Sequence, residues 1–185
     1  MTRRRLDRDT VVTSAIVLAD ELGIEEVALG RVAEELGVQS SALYNHVDGV
    51  EGLRHAVAGQ ATANLADALR DAAVARAGTD ALRAVAQAYR RFALDHPGQY
   101  ARTLLPPANS EDSLVVSHRA ITDLFVQILA GLGIEGETAI DTARTIRSAV
   151  HGFVALEAID GFTHPQGNDR SFEHLVDILV QAATR

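Results

Sequence analysis

The sequence contains few helix breakers. Four prolines occur among 185 residues, none before Pro97, and alanine-rich segments run almost without interruption. Alanine has the highest helix propensity, whereas a proline inside a helix removes a hydrogen bond and clashes with the preceding turn. Apolar residues also recur at intervals of three and four, which is the period of an amphipathic helix. The sequence therefore predicts an all-α protein with about nine helices.

Composition excludes several classes of protein. The chain has no cysteine, which rules out disulfides and thiolate metal sites. No stretch approaches the ~18 consecutive apolar residues of a membrane span, and the basic N-terminus lacks the apolar segment of a signal peptide. We therefore expect a globular cytoplasmic protein without a metal ion or another cofactor.

Glycine, proline and polar clusters divide the chain into helical segments. Gly23, Gly37 and Gly78 each interrupt an apolar repeat, and Pro106 and Pro107 lie in the clearest loop. The predicted helices are Asp9–Leu22, Leu29–Leu36, Ser40–His46, Asp48–Ala77, Thr79–Asp95, a short segment ending at Leu105, Ser110–Leu132, Glu137–Asp160 and Ser171–Ala183.

Two of these predicted helices are short and meet at Gly37. A tight turn between two short amphipathic helices is typical of a helix-turn-helix, and glycine suits a turn where a β-carbon would clash. Ser40 is a good candidate for the N-cap of the third helix. In such a motif the second short helix enters the major groove of DNA.

The segments Val32–Val38 (Val-Ala-Glu-Glu-Leu-Gly-Val) and Leu43–Val47 (Leu-Tyr-Asn-His-Val) resemble the tetracycline-repressor (TetR) family. The resemblance covers residues 8–57. It implies a DNA-binding head of three helices at residues 1–55 and a helical ligand-binding and dimerisation bundle at residues 56–185. Residues 89–100 and 151–157 more weakly resemble the branch of this family with a Trp-His-Gly signature, although Val150 stands where that branch has tryptophan.

The start of the predicted recognition helix has short side chains that suit base edges. Serine can bond several bases, the Ala42 methyl can contact thymine, and Asn45 can pair with adenine. The resemblance implies that Tyr44 and His46 bind phosphate, and an arginine arm ahead of the head can enter the minor groove. The predicted DNA-binding residues are Arg3, Arg4, Arg5, Arg31, Ser40, Ser41, Ala42, Tyr44, Asn45 and His46.

The charge of the head is unfavourable for DNA. Residues 1–55 contain six arginines and ten acidic residues, a net charge of −4. Asp48 and Glu51 stand near the place where the family commonly has a lysine, and Gly30 where relatives often carry a basic residue. Because each missing phosphate contact makes binding weaker and less dependent on salt, we expect a salt dependence that is shallow for this family.

The helices after Gly78 are apolar with scattered polar residues, which is typical of a pocket between helices. Aromatic and large apolar side chains would line such a pocket, and Thr122 and Arg147 would add polar contacts. The predicted ligand-binding residues are Tyr89, Phe92, Tyr100, Leu104, Thr122, Phe125, Arg147, His151 and Phe153.

The resemblance also implies a homodimer held by the last two predicted helices. Leu175, Val176, Ile178, Leu179 and Val180 are too apolar for a solvated helix, and we expect a monomer to expose them. A dimer would present two recognition helices to a palindromic operator. A small apolar or amphipathic effector bound between the body helices would then release double-stranded DNA by linkage.

Other interpretations stay open for individual residues. In the alternative interpretation, Tyr44 packs against its neighbours, His46 caps a helix, and the arginine arm is a solvated tail. Each aromatic residue of the body can equally be ordinary core, and His151 a core histidine with satisfied hydrogen bonds.

The function also has an alternative. An enzyme is not expected, since nucleophile elbows, phosphate loops, dinucleotide fingerprints and His-Glu-x-x-His pairs are absent from the sequence. A helical ligand-binding or partner-binding dimer with a weak or vestigial DNA-binding head competes with the repressor. The acidic head and Val50 favour that alternative, whereas Arg3–Arg5 and Leu43–His46 favour the repressor.

Overall fold

The structure is a computed structural model that describes residues 6–107 and 113–184. These residues form nine α-helices and one 3-10 turn, without a strand, which confirms the predicted all-α fold. The helices are α1 Arg8–Leu22, α2 Leu29–Leu36, α3 Ser40–Leu43, α4 Gly49–Ala73, α5 Gly78–Asp95, α6 Pro97–Arg102, α7 Ser113–Ala130, α8 Gly136–Glu157 and α9 Asn168–Ala183, and the 3-10 turn is Ile24–Glu26.

The described residues form two compact units. The first takes the described residues up to Asn64 and from His96 to Val115, and the second takes those from Leu65 to Asp95 and from Val116 onward. Helix α6 therefore belongs to the same unit as α1, although more than seventy residues separate them in the sequence. The predicted boundary between residues 1–55 and 56–185 concerns function and stays a prediction.

The core of the first unit is built by α1, α2, α3 and the start of α4. Val11, Val32, Leu43 and Val57 come from these four helices, and all are fully buried. Their spacing puts them on the inward face of each helix, because side chains three or four residues apart share a helix face. Burial of these apolar side chains thus holds the three-helix head together. The helix α3 depends on this packing, because it has only four residues.

Helix α6 packs closely on α1. A β-carbon added at Gly98 would lie 1.9 Å from the backbone oxygen of Ala19, so only glycine permits this approach. The Asp20 carboxylate caps α6: its Oδ1 accepts the Gln99 backbone N–H at 2.9 Å, and its Oδ2 accepts the Gln99 side-chain amide at 2.7 Å. The N-cap residue of α6, His96, makes no cap bond of its own with its side chain but lies 3.0 Å from Asp20 through Nδ1.

In the second unit α5, α8 and α9 pack on one another. A nearly buried guanidinium, that of Arg90 on α5, joins them. It donates to both carboxylate oxygens of Glu157 at 2.7 and 2.5 Å and to Asp169 at 2.7 Å, and it lies 5.0 Å from the Phe172 ring centre. These partners raise the pKa of Arg90, chiefly through the hydrogen bonds with Glu157, and keep it charged.

The prediction for the third helix is wrong in its length. The sequence predicts a helix from Ser40 to His46, but α3 ends at Leu43. His46 N and Val47 N both donate to the Leu43 carbonyl, which closes a turn that returns the buried Val47 side chain to the core. Gln39, not Ser40, occupies the N-cap position, and its side chain makes no cap bond. Asn and His favour such a turn because their helix propensity is low.

Candidate functional sites

The turn between α2 and α3 has the geometry that the sequence predicts. Gly37 is left-handed, with φ 65° and ψ 34°, a conformation that costs little only for glycine. Its N–H donates to Glu34 O at 3.1 Å, and Val38 N donates to Ala33 O at 2.9 Å. This pair of bonds satisfies the carbonyls at the end of α2 and fixes the direction in which the chain enters α3.

The residues predicted to contact bases lie together on the segment from Ser40 to His46. Ser40, Ser41 and Asn45 are exposed, and 62% of Tyr44 is accessible to solvent. Ala42 and His46 are half-buried. Leu43 is fully buried and anchors the segment. The predicted arm residues Arg3, Arg4 and Arg5 lie outside the described residues.

A polar groove of about 280 Å³ adjoins this segment, and we call it the recognition groove. Two of its residues, Arg8 and His55, are absent from the predicted DNA-binding set. Arg8 follows the arginine arm in the sequence and begins α1, whereas His55 lies within α4 and has no local pattern that indicates it. The packing of the helices brings both beside the segment that follows α3. The recognition groove is lined by Arg8, Tyr44, Asn45, His46, Val47, Asp48, Gly52 and His55.

Three of the four arginines that the structure describes in the first unit lie beside a carboxylate. Arg31, predicted to contact DNA, is exposed and lies 3.8 Å from Glu26. Arg54 lies 3.5 Å from Glu25 and 3.8 Å from Glu51. Arg102 pairs with the other carboxylate oxygen of Glu25 at 3.1 Å. Arg8 is exposed and has no carboxylate partner among the residues that the structure describes.

The residues predicted to bind a ligand are divided between the two units. Tyr100, which is buried, and Leu104, which is 45% exposed, belong to the first unit. The other seven belong to the second unit. Among these, Tyr89, Phe92 and Phe125 are buried, whereas Thr122, Arg147, His151 and Phe153 are half-buried.

Several of these side chains already have partners inside the second unit. The Phe153 ring packs against Phe162 in a tilted arrangement and against Phe172 edge-on, with its centre 4.8 and 5.2 Å from theirs. Thr122 donates to the His118 carbonyl at 3.1 Å. Burial lowers the pKa of His151, and the charge of the nearby Arg147 lowers it further. His151 is therefore held neutral more strongly than a solvated histidine.

A cavity of about 250 Å³ in the second unit lies elsewhere. It is bordered by α4, α5 and α7, and the predicted ligand-binding residues do not line it. The lining of this cavity is Ala73, Arg76, Ala77, Gly78, Ala81, Leu124, Gln127, Ile128 and Gly131.

In the described part of the chain no group of three or more histidine, aspartate or glutamate side chains is arranged to hold a metal ion. Nor does any described helix have the length and hydropathy needed to cross a membrane.

Comparison with known sequences relates this chain to transcriptional regulators. The profile of the tetracyclin repressor-like C-terminal domain matches residues 82–179, more than half of the chain. An HTH-type transcriptional regulator of Mycobacterium tuberculosis is 34% identical over 154 residues, which cover 83% of this chain and 71% of that relative.

Two solved structures share the fold. BioQ with its natural double-stranded DNA operator has a TM-score of 0.69 and 23% identity, over 97% of this chain and 99% of that one. A TetR variant from Acinetobacter baumannii AYE in complex with minocycline has a TM-score of 0.71 and 24% identity, over 96% of each chain. The chain therefore belongs to the tetracycline-repressor family of helix-turn-helix transcriptional regulators.

Proposed function

We propose that this chain is a cytoplasmic repressor that binds a palindromic operator as a homodimer and is released from it by a small apolar or amphipathic effector. One observation carries the proposal: Ser40, Ser41, Tyr44 and Asn45 are all exposed on one short segment held by the Gly37 turn. Exposed short polar side chains on such a segment suit base edges, and Tyr44 suits phosphate. We expect no catalytic activity.

The dimer is supported by apolar side chains exposed on the last two helices. The sequence-based expectation needs one correction, since Val176, Leu179 and Val180 are buried within the chain itself. Ile140 and Leu156 on α8 and Ile178 on α9 remain exposed. A second copy would remove such surface from water.

The effector site is proposed in the second unit. Thr122, Arg147 and His151 are half-buried polar residues of this unit, and Phe125 is a buried apolar one. Support comes from a structural neighbour that holds minocycline, a small amphipathic molecule. The residues His151 and Gly152 support membership of the Trp-His-Gly branch, and Val150 in place of tryptophan counts against it.

Retardation of genomic DNA tests the repressor. Purified protein is mixed with DNA fragments from around its own gene, at low salt and in the presence of excess competitor DNA. Each mixture is tested with and without small-molecule extracts. We expect selective retardation, and Tyr44→Ala should abolish it while size-exclusion chromatography still finds a folded dimer, because Tyr44 is mostly exposed. Failure of every fragment to shift under either condition would exclude the repressor.

A second candidate function is a ligand-binding or partner-binding dimer whose head no longer holds DNA. The ion pairs of Arg31 with Glu26 and of Arg54 with Glu25 favour it, because a guanidinium engaged by a carboxylate attracts phosphate less. This candidate predicts a dimer with no selective retardation at any salt concentration.

A further inference from the structure

The recognition groove brings one arginine next to the residues expected to meet the DNA backbone. Arg8 from α1 and His55 from α4 face the same space as Tyr44, Asn45 and His46. This set offers a guanidinium, two imidazoles, a phenol and an amide, all of which can donate hydrogen bonds to a phosphate oxygen. Asp48 is the one carboxylate in the lining.

Arg8 is held in place at its backbone. The Asp7 carboxylate accepts the Thr10 N–H at 2.8 Å and so caps α1, which makes Arg8 the first residue of that helix. Because the backbone at Arg8 is already fixed, less conformational entropy is lost when its side chain binds a ligand. A guanidinium also presents paired donors that match two oxygens of one phosphate.

The charges of the first unit single out Arg8. Arg31, Arg54 and Arg102 each lie within 4 Å of a glutamate carboxylate. Arg8, by contrast, has no such partner among residues 6–107 and 113–184. Its charge is therefore the one in the described head that DNA can use without first breaking an ion pair.

We propose that Arg8 binds a backbone phosphate of DNA seated in the recognition groove, with Tyr44 and His46 as further donors. The inference rests on the proposed function and supplies the basic contact that the acidic start of α4 lacks. Asp48 also lines the groove, and its negative charge repels a phosphate, so it weakens binding. Arg8 sets affinity and orientation rather than sequence preference, because phosphates carry no base identity.

The salt dependence of binding tests the proposal, because each phosphate contact adds about 0.9 to the slope of log affinity against log salt. Fluorescence anisotropy is recorded with a retarded fragment and with a random duplex. In a dimer, Arg8→Gln should reduce the slope by about 1.8 on both duplexes, and Arg8→Lys should largely keep it. Arg70→Gln is the matched control: it removes the same charge from an arginine of α4 that pairs with Asp67 and does not line the recognition groove, and should leave the slope unchanged.

Asp48→Asn provides the opposite test and should raise the affinity several-fold. Equal slopes for wild type and Arg8→Gln, or equal losses for Arg8→Gln and Arg70→Gln, would overturn the assignment to Arg8. Displacement of DNA by millimolar inorganic phosphate at constant ionic strength, in wild type but not in Arg8→Gln, would overturn it in favour of a free-anion site. If the wild-type protein binds neither duplex, the proposed function fails as well. If the wild-type protein binds and Arg8→Gln binds with the same affinity and salt slope, only the phosphate contact is refuted.

Discussion

Asp20 and Gln99 lie 79 positions apart in the sequence and are joined by two hydrogen bonds. Removing the carboxylate by Asp20→Ala leaves the Gln99 backbone N–H, at the start of α6, without its partner. Bonds to a charged acceptor in a mostly buried place are costly to lose, so we expect the free energy of unfolding to fall by about 3 kcal/mol.

Urea unfolding measures that loss, and hydrogen exchange locates it. The amides of α6 should exchange faster in Asp20→Ala than in wild type. Asp67→Ala is the control, because Asp67 makes an exposed pair with Arg70 on the same helix and should matter by less than about 1 kcal/mol. Equal stability of the two variants would refute the role of Asp20.

Gly98→Ala should separate α6 from α1. The new β-carbon would lie 1.9 Å from Ala19 O, which is backbone and cannot rotate away, so we expect a loss of about 3 kcal/mol. Gly30→Ala is the matched control on α2: its β-carbon meets nothing within 4 Å, and alanine should add about 1 kcal/mol of helix propensity. Thermal unfolding should thus move the two melting temperatures in opposite directions.

Arg90→Ala should destabilise the fold more than any of the other substitutions. Glu157 is 9% exposed and would keep a buried charge without the guanidinium that now binds it, which costs about 4 kcal/mol in comparable pairs. Arg83 on the same helix pairs with Asp177, but both side chains are well exposed. Arg83→Ala should therefore cost less than about 1 kcal/mol. Urea midpoints that fall equally would contradict this ranking.

His151 should make stability depend on pH. Because its folded-state pKa lies below the ordinary 6.5, the unfolded chain binds the proton more readily. The stabilisation is complete above about pH 6.5 and is lost as the pH falls through the lower folded-state pKa. His151→Gln should therefore make the melting temperature depend less on pH below about pH 6.5.

His174→Gln is the control for that measurement. His174 is exposed on α9, so its ring meets water in both states and the substitution should leave the pH profile as it is. A wild-type profile unchanged by His151→Gln would show that burial of this imidazole contributes nothing.

Local sequence is sufficient to predict some of these features. Gly37 and the short apolar helices on either side of it predict the turn correctly, because a left-handed glycine and a buried Leu43 follow from neighbouring residues. The length of α3 does not follow from local sequence, since the demand that Val47 return to the core comes from packing. The order of the helices is likewise predictable, because each segment carries its own apolar period.

The sites are harder to predict, because they combine distant residues. Arg8 and His46 share a groove only after α1, α2 and α3 have packed together, and no spacing in the sequence encodes that proximity. Tyr100 and Leu104 follow Tyr89 closely in the sequence, and all three are therefore predicted to bind the same ligand. The structure assigns Tyr100 and Leu104 to a different unit, because Gly98 and Asp20 attach α6 to α1.

The carboxylate of Asp20 also imposes a direction on the side chains behind it. A carboxylate only accepts hydrogen bonds, so Gln99 must turn its amide nitrogen toward Asp20 and its oxygen toward Asn64, at 2.7 Å. Asn64 then receives the Gln60 amide at 2.9 Å through its own oxygen. One negative charge on α1 thereby sets the polarity of three successive amides, and its effect reaches the exposed surface of α4. Replacing it with the neutral amide of Asp20→Asn would let the whole row reverse, and the reversal would extend through Gln99 and Asn64 to Gln60.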